Sequence, residues 1–117
     1  HWANVPLSEG LARQRRWWNG PLELPLDCLT PCVGPSADME YVVEPVAWAE
    51  RTLAMAEGFG EPLAVPPLIA EYRAGVLSVR DGNTRYEAFR VKGWRTCWAI
   101  IWYNAEEDYL AHTEALR

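Results

Sequence analysis

The 117-residue sequence lacks any apolar run long enough for a membrane-spanning helix, and it shows no secretory signal peptide. Cysteine is scarce, and the three residues Cys28, Cys32 and Cys97 have no metal-ligand spacing with either histidine. These absences argue against a membrane protein and against a zinc site. We therefore expect a cytoplasmic protein whose thiols stay reduced.

Basic charge is also limited, because 16 acidic residues outnumber 11 basic ones and give a net charge of −5. This balance argues against a protein that coats DNA through its phosphates. The segment 71–97 is the exception, since it holds six basic residues against three acids: Arg73, Arg80, Arg85, Arg90, Lys92 and Arg95 against Glu71, Asp81 and Glu87. An anion site, if present, is expected there.

Tryptophan, in contrast, is abundant, with seven residues in a chain whose length suits one domain. Each ring either fills the core of a small protein or lies exposed on a surface that binds something. Both interpretations stay open from the sequence. The sequence shows no internal repeat and no low-complexity tract.

The residues around position 82 predict a strand that turns sharply into a helix. The apolar run 77–79 ends at Asp81, and Gly82 and Asn83 suit an unusual backbone conformation. A helix is then predicted over 84–91, with its end at Gly93. Unpaired N–H groups and the helix dipole at such a start suit an anion, most often phosphate. Arg85, in the first turn, can offer a forked donor to the same anion.

This stretch also carries a family resemblance. D-G-N-T-R-Y-E-A (81–88), the K-G-W that ends the helix and the apolar strand 96–102 resemble the signature of the ParB/sulfiredoxin superfamily, which often has G-E-R-R or D-G-N-H-R at this point. Upstream, 22–29 resembles the first strand of the family, 45–57 its first helix and 61–69 its "PL-V-PP" strand entry. The resemblance implies an α+β fold, a small mixed sheet of the ParB/sulfiredoxin type with helices packed around it.

Three segments follow from this reading. Residues 1–20 are expected to be an N-terminal extension with a helix over 8–18, and residues 21–104 the ParB/sulfiredoxin-like domain. Residues 105–117 are expected to be a C-terminal helix that packs on the same domain, with a capping-box pattern from Asn104. A hairpin turn is predicted at Ala74 and Gly75.

The resemblance implies that the loop binds a nucleotide. Its phosphates would lie against Gly82, Asn83, Thr84 and Arg85, and Mg²⁺ near Asp81. CTP, ATP and ADP are the nucleotides considered. Each loop residue also has a structural interpretation: Gly82 as a turn glycine, Asn83 and Thr84 as helix caps, and Arg85 as an ion-pair partner of Asp81 or Glu87.

Two acids are candidates for chemistry at this site. Asp81 could hold Mg²⁺ or act as a general base, and Glu71 is the other acid close to the motif in sequence. Glu87 lies one turn into the helix. The family resemblance implies that it orients Arg85 without contacting the ligand itself.

The chain also departs from the patterns of the family. Sulfiredoxins place a reactive cysteine in a G-G-C-H-R loop, and the matching residue here is Asn83, so repair of oxidised cysteine is not expected. Asn83 and Thr84 replace two residues of G-E-R-R, which weakens the case for CTP in particular. Thr84 also stands where D-G-N-H-R has histidine. No helix-turn-helix follows the domain, so this chain alone is not expected to bind a specific operator.

Three hypotheses for function remain at this point. The first is a nucleotide-binding switch or accessory protein of a bacterium or phage. The second is an enzyme: an NTPase, a phosphotransferase or a nuclease. The third is a protein-interaction module without a nucleotide, which would use exposed rings among Trp17, Trp18, Trp98 and Trp102. A DNA or protein partner and a homodimer stay open in each case.

Overall fold

The computed structural model describes residues 15–61 and 64–117. Within them the strands and helices follow one another along the chain as β1 (Trp17–Pro25), β2 (Leu29–Pro31), β3 (Val33–Gly34), β4 (Tyr41–Val42), α1 (Pro45–Gly58), β5 (Leu68–Arg73), β6 (Val76–Asp81), α2 (Asn83–Lys92), β7 (Thr96–Tyr103) and α3 (Glu106–Ala115). A short 3₁₀ turn at Leu26–Cys28 joins β1 to β2.

Five strands form one mixed sheet in the order β1-β7-β5-β6-β2. The β5–β7 and β6–β2 pairs are parallel, whereas β1–β7 and β5–β6 are antiparallel. A separate two-stranded parallel ribbon consists of β3 and β4. The described chain is thus α+β with a small mixed sheet and packed helices, which confirms the fold class predicted from the sequence.

The core lies between one face of the sheet and helix α2. Alternate residues of β7 enter this core, as the period of a strand requires: Cys97, Ala99, Ile101 and Tyr103. Helix α2 contributes Tyr86 and Phe89 to the same cluster. Because this face of α2 is buried, its first turn is held at the edge of the sheet where β6 ends.

Local sequence signals explain most of the element boundaries. Ala74 and Gly75 both have positive φ values, 51° and 82°, in the two-residue turn between β5 and β6. Pro45 begins α1, and the carboxylate of Glu44 accepts hydrogen bonds from the N–H groups of Val46 and Ala47. Gly93 ends α2 in the left-handed conformation. The predicted hairpin and both of these predicted helices are confirmed.

The N-terminal prediction was partly wrong. The helix expected over 8–18 lies mostly outside the described residues, but its last two positions, Trp17 and Trp18, are in β1 and pair with β7. The cap expected at Asn104 is also absent: α3 starts after Ala105 without a side-chain cap, and Asn104 donates to Glu71 instead.

Candidate functional site

Gly82 makes the turn from β6 into α2. Its φ of 100° and ψ of 24° lie in the left-handed region, where glycine alone avoids a steric cost. A Cβ at this position would collide with the side chain of Leu68 and with the guanidinium of Arg85. The turn is therefore built for glycine by conformation and by space.

The start of α2 offers backbone donors. The N–H of Tyr86 makes the first bond of the helix, to the carbonyl of Gly82 at 2.8 Å. The N–H groups of Asn83, Thr84 and Arg85 consequently have no acceptor within the helix. Gly82, which has no side chain, cannot cap them. Together with the positive end of the helix dipole, they give this turn an affinity for negative charge.

Arg85 brings a cation to the same turn. Its side chain is only 18% exposed, and the guanidinium lies 3.5 Å from the carboxylate of Asp81. It also donates to the carbonyl of Pro66 at 3.3 Å. These two contacts hold the guanidinium close to Gly82.

A cleft of about 300 Å³ opens beside Arg85. Its walls come from the end of α1 and from the segment that enters β5: Met55, Gly58, Phe59, Gly60, Glu61, Ala64, Val65 and Pro66. The walls are mostly apolar, and the charged residues that line the cleft are Arg85 and Glu61. That the end of α1 faces Arg85 was not predicted from the sequence.

Asp81 is the accessible acid of the loop, with 41% of its side chain exposed. It is the last residue of β6 and pairs across the sheet with Ile69. Among the described residues, no group of three or more His, Cys, Asp or Glu side chains could hold a metal ion. A Mg²⁺ ion at Asp81 would therefore need phosphate oxygens for its remaining ligands, which is a common arrangement.

Asn83 has a structural role that the sequence prediction did not separate from ligand binding. Its side chain is buried, and its Oδ1 accepts from the N–H groups of Cys32 (2.7 Å) and Val33 (3.2 Å). Its Nδ2 donates to the carbonyl of Val79 at 3.0 Å. The amide thus ties α2 to β6 and to the connection between β2 and β3.

Glu71 is the centre of a polar network instead of an accessible base. Its buried carboxylate receives hydrogen bonds from Arg73 (2.7 Å), Arg80 (3.1 Å) and Asn104 (2.8 Å). Burial opposes ionisation, but the hydrogen bonds and the positive charges of both arginines outweigh it, so the pKa of Glu71 is lowered. A carboxylate that is a weaker base and fully engaged is poorly suited to general-base catalysis.

Glu87 does not orient Arg85 in this structure. Its carboxylate pairs with Arg90, three residues later on the same helix, at 3.5 Å. The partner of Arg85 is Asp81, which was the other ion pair considered from the sequence. Thr84 is partly exposed in the first turn of α2.

Comparisons with known proteins return matches only among solved structures. No protein-family model matches the chain, and no curated protein matches it. A structure of sulfiredoxin from Arabidopsis thaliana is similar over 79% of this chain and 94% of its own, with 20% sequence identity and a TM-score of 0.49.

A Pnob8-like ParB-N domain is also similar, over 80% of this chain and 32% of its own, with 13% identity and a TM-score of 0.45. At these identities the likeness concerns the fold alone. No residue role follows from either match.

Proposed function

We propose that this chain is a ParB-like domain that binds a nucleotide at the loop 81–85 and acts as a nucleotide-operated switch or accessory protein. The observation that carries the proposal is the half-buried Arg85 guanidinium, held across the left-handed turn at Gly82 and facing a cleft. The phosphates would meet the N–H groups of residues 83–85, the Thr84 hydroxyl and the fork of Arg85.

The ion pair between Asp81 and Arg85 is compatible with phosphate binding, in which a phosphate would take the place of Asp81 beside the guanidinium. At 3.5 Å and with Asp81 41% exposed, it is an ion pair that contributes about 0–1 kcal/mol. A phosphate can therefore replace Asp81 beside the guanidinium at little cost. The displaced carboxylate would then be placed to hold a Mg²⁺ ion that the phosphates share.

The proposal predicts that nucleotide binding depends on Arg85. Calorimetric titration of the wild type with CTP, ATP, ADP and GTP, each with and without Mg²⁺, should give binding for at least one of them. Arg85→Ala should weaken that binding by about tenfold to a hundredfold, because it removes a charge-assisted contact of about 1.5–3 kcal/mol.

Arg90→Ala is the matched control for this experiment. Arg90 lies on the same helix and loses the same charge, but it is 57% exposed and pairs with Glu87 away from the helix start. If both variants lost nucleotide affinity equally, the loss would reflect only the change in net charge and would contradict the proposed site. No binding by the wild type would favour the protein-interaction hypothesis, for which Trp18 is exposed whereas Trp102 is buried.

Catalysis stays a prediction. Of the two candidate bases, Asp81 is the accessible one. If the wild type turns over the nucleotide, and Asp81→Asn loses this turnover but still binds the nucleotide, the chain is an enzyme and not only a switch. Phosphate release and transfer to an acceptor can be followed with the nucleotide that binds best.

A further inference from the structure

Helix α1 has an outer side that is more apolar than its exposure to water explains. Of its 14 residues only Trp48, Thr52 and Ala56 are buried, and their spacing of four residues makes them the inward face of the helix. Among the remaining positions only Glu50, Arg51 and Glu57 are charged. A surface helix normally carries polar side chains on its outer face, and one that is apolar all round is normally covered.

A stripe of apolar side chains runs along this outer side. Val46, Ala49 and Leu53 have the spacing of one helix face, and all three are exposed. Val46 is 63% and Leu53 51% exposed. About 10 Å of helix axis separates them. Glu50 and Glu57, which are also seven residues apart, follow the stripe along one edge. These five residues form the α1 stripe.

The α1 stripe faces away from the cleft beside Arg85. Met55 and Gly58 are the residues of α1 that line that cleft. With 3.6 residues per turn, both lie roughly 150° around the helix axis from the apolar residues of the stripe. A partner on the stripe would therefore not occupy the cleft.

The charge around the stripe has one sign. Residues 36–61 hold six acids against one base: Asp38, Glu40, Glu44, Glu50, Glu57 and Glu61 against Arg51. Glu40 pairs with Arg80, and Glu44 caps α1. The other four acids make no ion pair within the described ranges 15–61 and 64–117. The stripe thus lies in a negative field.

This field selects among the partners of an apolar stripe. It repels the phosphates of nucleic acids and of anionic lipids. A second copy in a two-fold contact would place Glu50 and Glu57 against the same acids. A helix with apolar side chains on one face and lysine or arginine beside them matches both the stripe and its acidic edge. The small Ala49 between Val46 and Leu53 leaves space into which a side chain of that helix can insert.

We infer that the α1 stripe docks a cationic amphipathic helix of another protein. The apolar side chains of the partner pack on Val46, Ala49 and Leu53, and its cations lie along Glu50 and Glu57. The inference goes beyond nucleotide binding and does not depend on it, because the stripe and the loop 81–85 are separate surfaces.

The probe is a fluorescently labelled synthetic peptide of leucine and lysine with the leucines on one face of a helix. Fluorescence anisotropy should give a dissociation constant of about 10–100 μM that rises with salt. Two peptides of equal length serve as controls, one with glutamate in place of lysine and one with the leucines spread around the helix. Both should bind at least about tenfold more weakly.

Leu53→Ser tests the apolar half of the stripe. The variant should bind the lysine–leucine peptide about tenfold more weakly and should bind tripolyphosphate as the wild type does. Leu110→Ser is the matched control, since Leu110 is 56% exposed on the acidic helix α3, and it should leave peptide binding unchanged. Circular dichroism and thermal unfolding of each variant check that the fold is kept.

The double variant Glu50→Lys with Glu57→Lys tests the acidic edge. It should weaken peptide binding by about tenfold or more and flatten its salt dependence. Glu107→Lys with Glu114→Lys makes the same change in net charge at the same spacing on α3, and it should have the smaller effect.

Four results would overturn the inference. They are no binding of the lysine–leucine peptide to the wild type, equal binding of the glutamate peptide, unchanged binding in Leu53→Ser, and equal losses in the two charge-reversed variants. A dimer in sedimentation equilibrium that Leu53→Ser dissociates would assign the stripe to a second copy of this chain and would overturn the cationic partner as well.

Discussion

At the scale of single residues, Gly82 is the position that the loop depends on most. Gly82→Ala should destabilise the fold by about 1–2 kcal/mol for the left-handed conformation alone, and by more because the added methyl group displaces Leu68. Thermal or urea unfolding measures this loss.

Gly93→Ala is the matched control for Gly82→Ala. Gly93 has a φ of 85°, but a Cβ there would meet nothing within 4 Å, so its variant should show the conformational cost only. If the two variants were equally stable, the close contact with Leu68 would have no energetic weight, and the tight packing of the loop would be contradicted.

Asn83 shows where sequence reasoning ends at this scale. The D-G-N pattern predicts a turn and a helix start from local chemistry, and both are present. The side-chain oxygen of Asn83, however, accepts hydrogen bonds from the N–H groups of Cys32 and Val33, which are 51 and 50 residues away along the chain. A partner at that distance leaves no local signal, and the side chain is therefore as compatible with a ligand as with a structural bond until the fold is known.

At the scale of elements, α3 is attached to the sheet through His112. The Nδ1 of His112 is 2.5 Å from the hydroxyl of Tyr103, and its ring lies 4.5 Å from that of Tyr72. No residue of α3 is fully buried, and Tyr109 of the same helix also packs against the core, edge to face with Tyr103. Burial lowers the pKa of His112 below its ordinary value of 6.5, since the charged ring would lose water.

This lowered pKa predicts a loss of stability in mild acid. Well above pH 6.5 His112 is neutral in both the folded and the unfolded states, so it adds no pH dependence there. As the pH falls below that value, the unfolded chain takes up the proton more readily than the folded one, and stability decreases until the folded pKa is passed. Melting temperatures between about pH 7.5 and 5.5 should show this slope.

His112→Gln removes the titrating group while keeping a polar side chain near Tyr103. The variant should be less stable at neutral pH but should show a flatter profile across the same range. Parallel profiles for the wild type and the variant would contradict the assignment to His112 and point to other groups, such as the carboxylates of α3.

The elements themselves were more predictable than their contacts. Helices α1 and α2, the hairpin of β5 and β6 and the strand β7 follow from caps, turn residues and apolar periods that lie within each segment. The helix predicted to reach Trp18 was wrong at its end, because Trp17 and Trp18 pair with β7 about 85 residues later. Strand pairing at long range decides such a case, whereas helix propensity is local.

At the scale of the whole molecule, the register of the sheet assembles the candidate site. The loop 81–85 follows β6 and the segment 64–67 precedes β5, and the antiparallel pairing of these two strands brings both stretches to the same edge of the sheet. The sequence identified the loop but not the cleft, because the loop is local and the cleft is made by topology. Glu71, predicted as a base from its closeness in sequence, proved to be buried within a network of Arg73, Arg80 and Asn104.

Over the whole molecule acidic residues outnumber basic ones, whereas the loop 81–85 offers local donors to an anion. The chain carries a net charge of −5, and the anion site must act against it through local donors. Screening at physiological salt limits the reach of the remaining acids to about 8 Å. Binding at the loop should therefore vary less with salt than binding to DNA phosphates would. Among the described residues no helix has the length and apolar character needed to cross a membrane.

The measurement that tests the central claim most directly is an amide NMR titration of the ¹⁵N-labelled protein with tripolyphosphate and Mg²⁺. The account predicts that the largest shifts fall on the N–H groups of Asn83, Thr84 and Arg85, since these donors meet the phosphates, and that Arg85→Ala abolishes them. Shifts centred on Arg90 and Lys92 at the end of α2 and on Arg95 just after it, or no shifts at all, would contradict a phosphate site at Gly82.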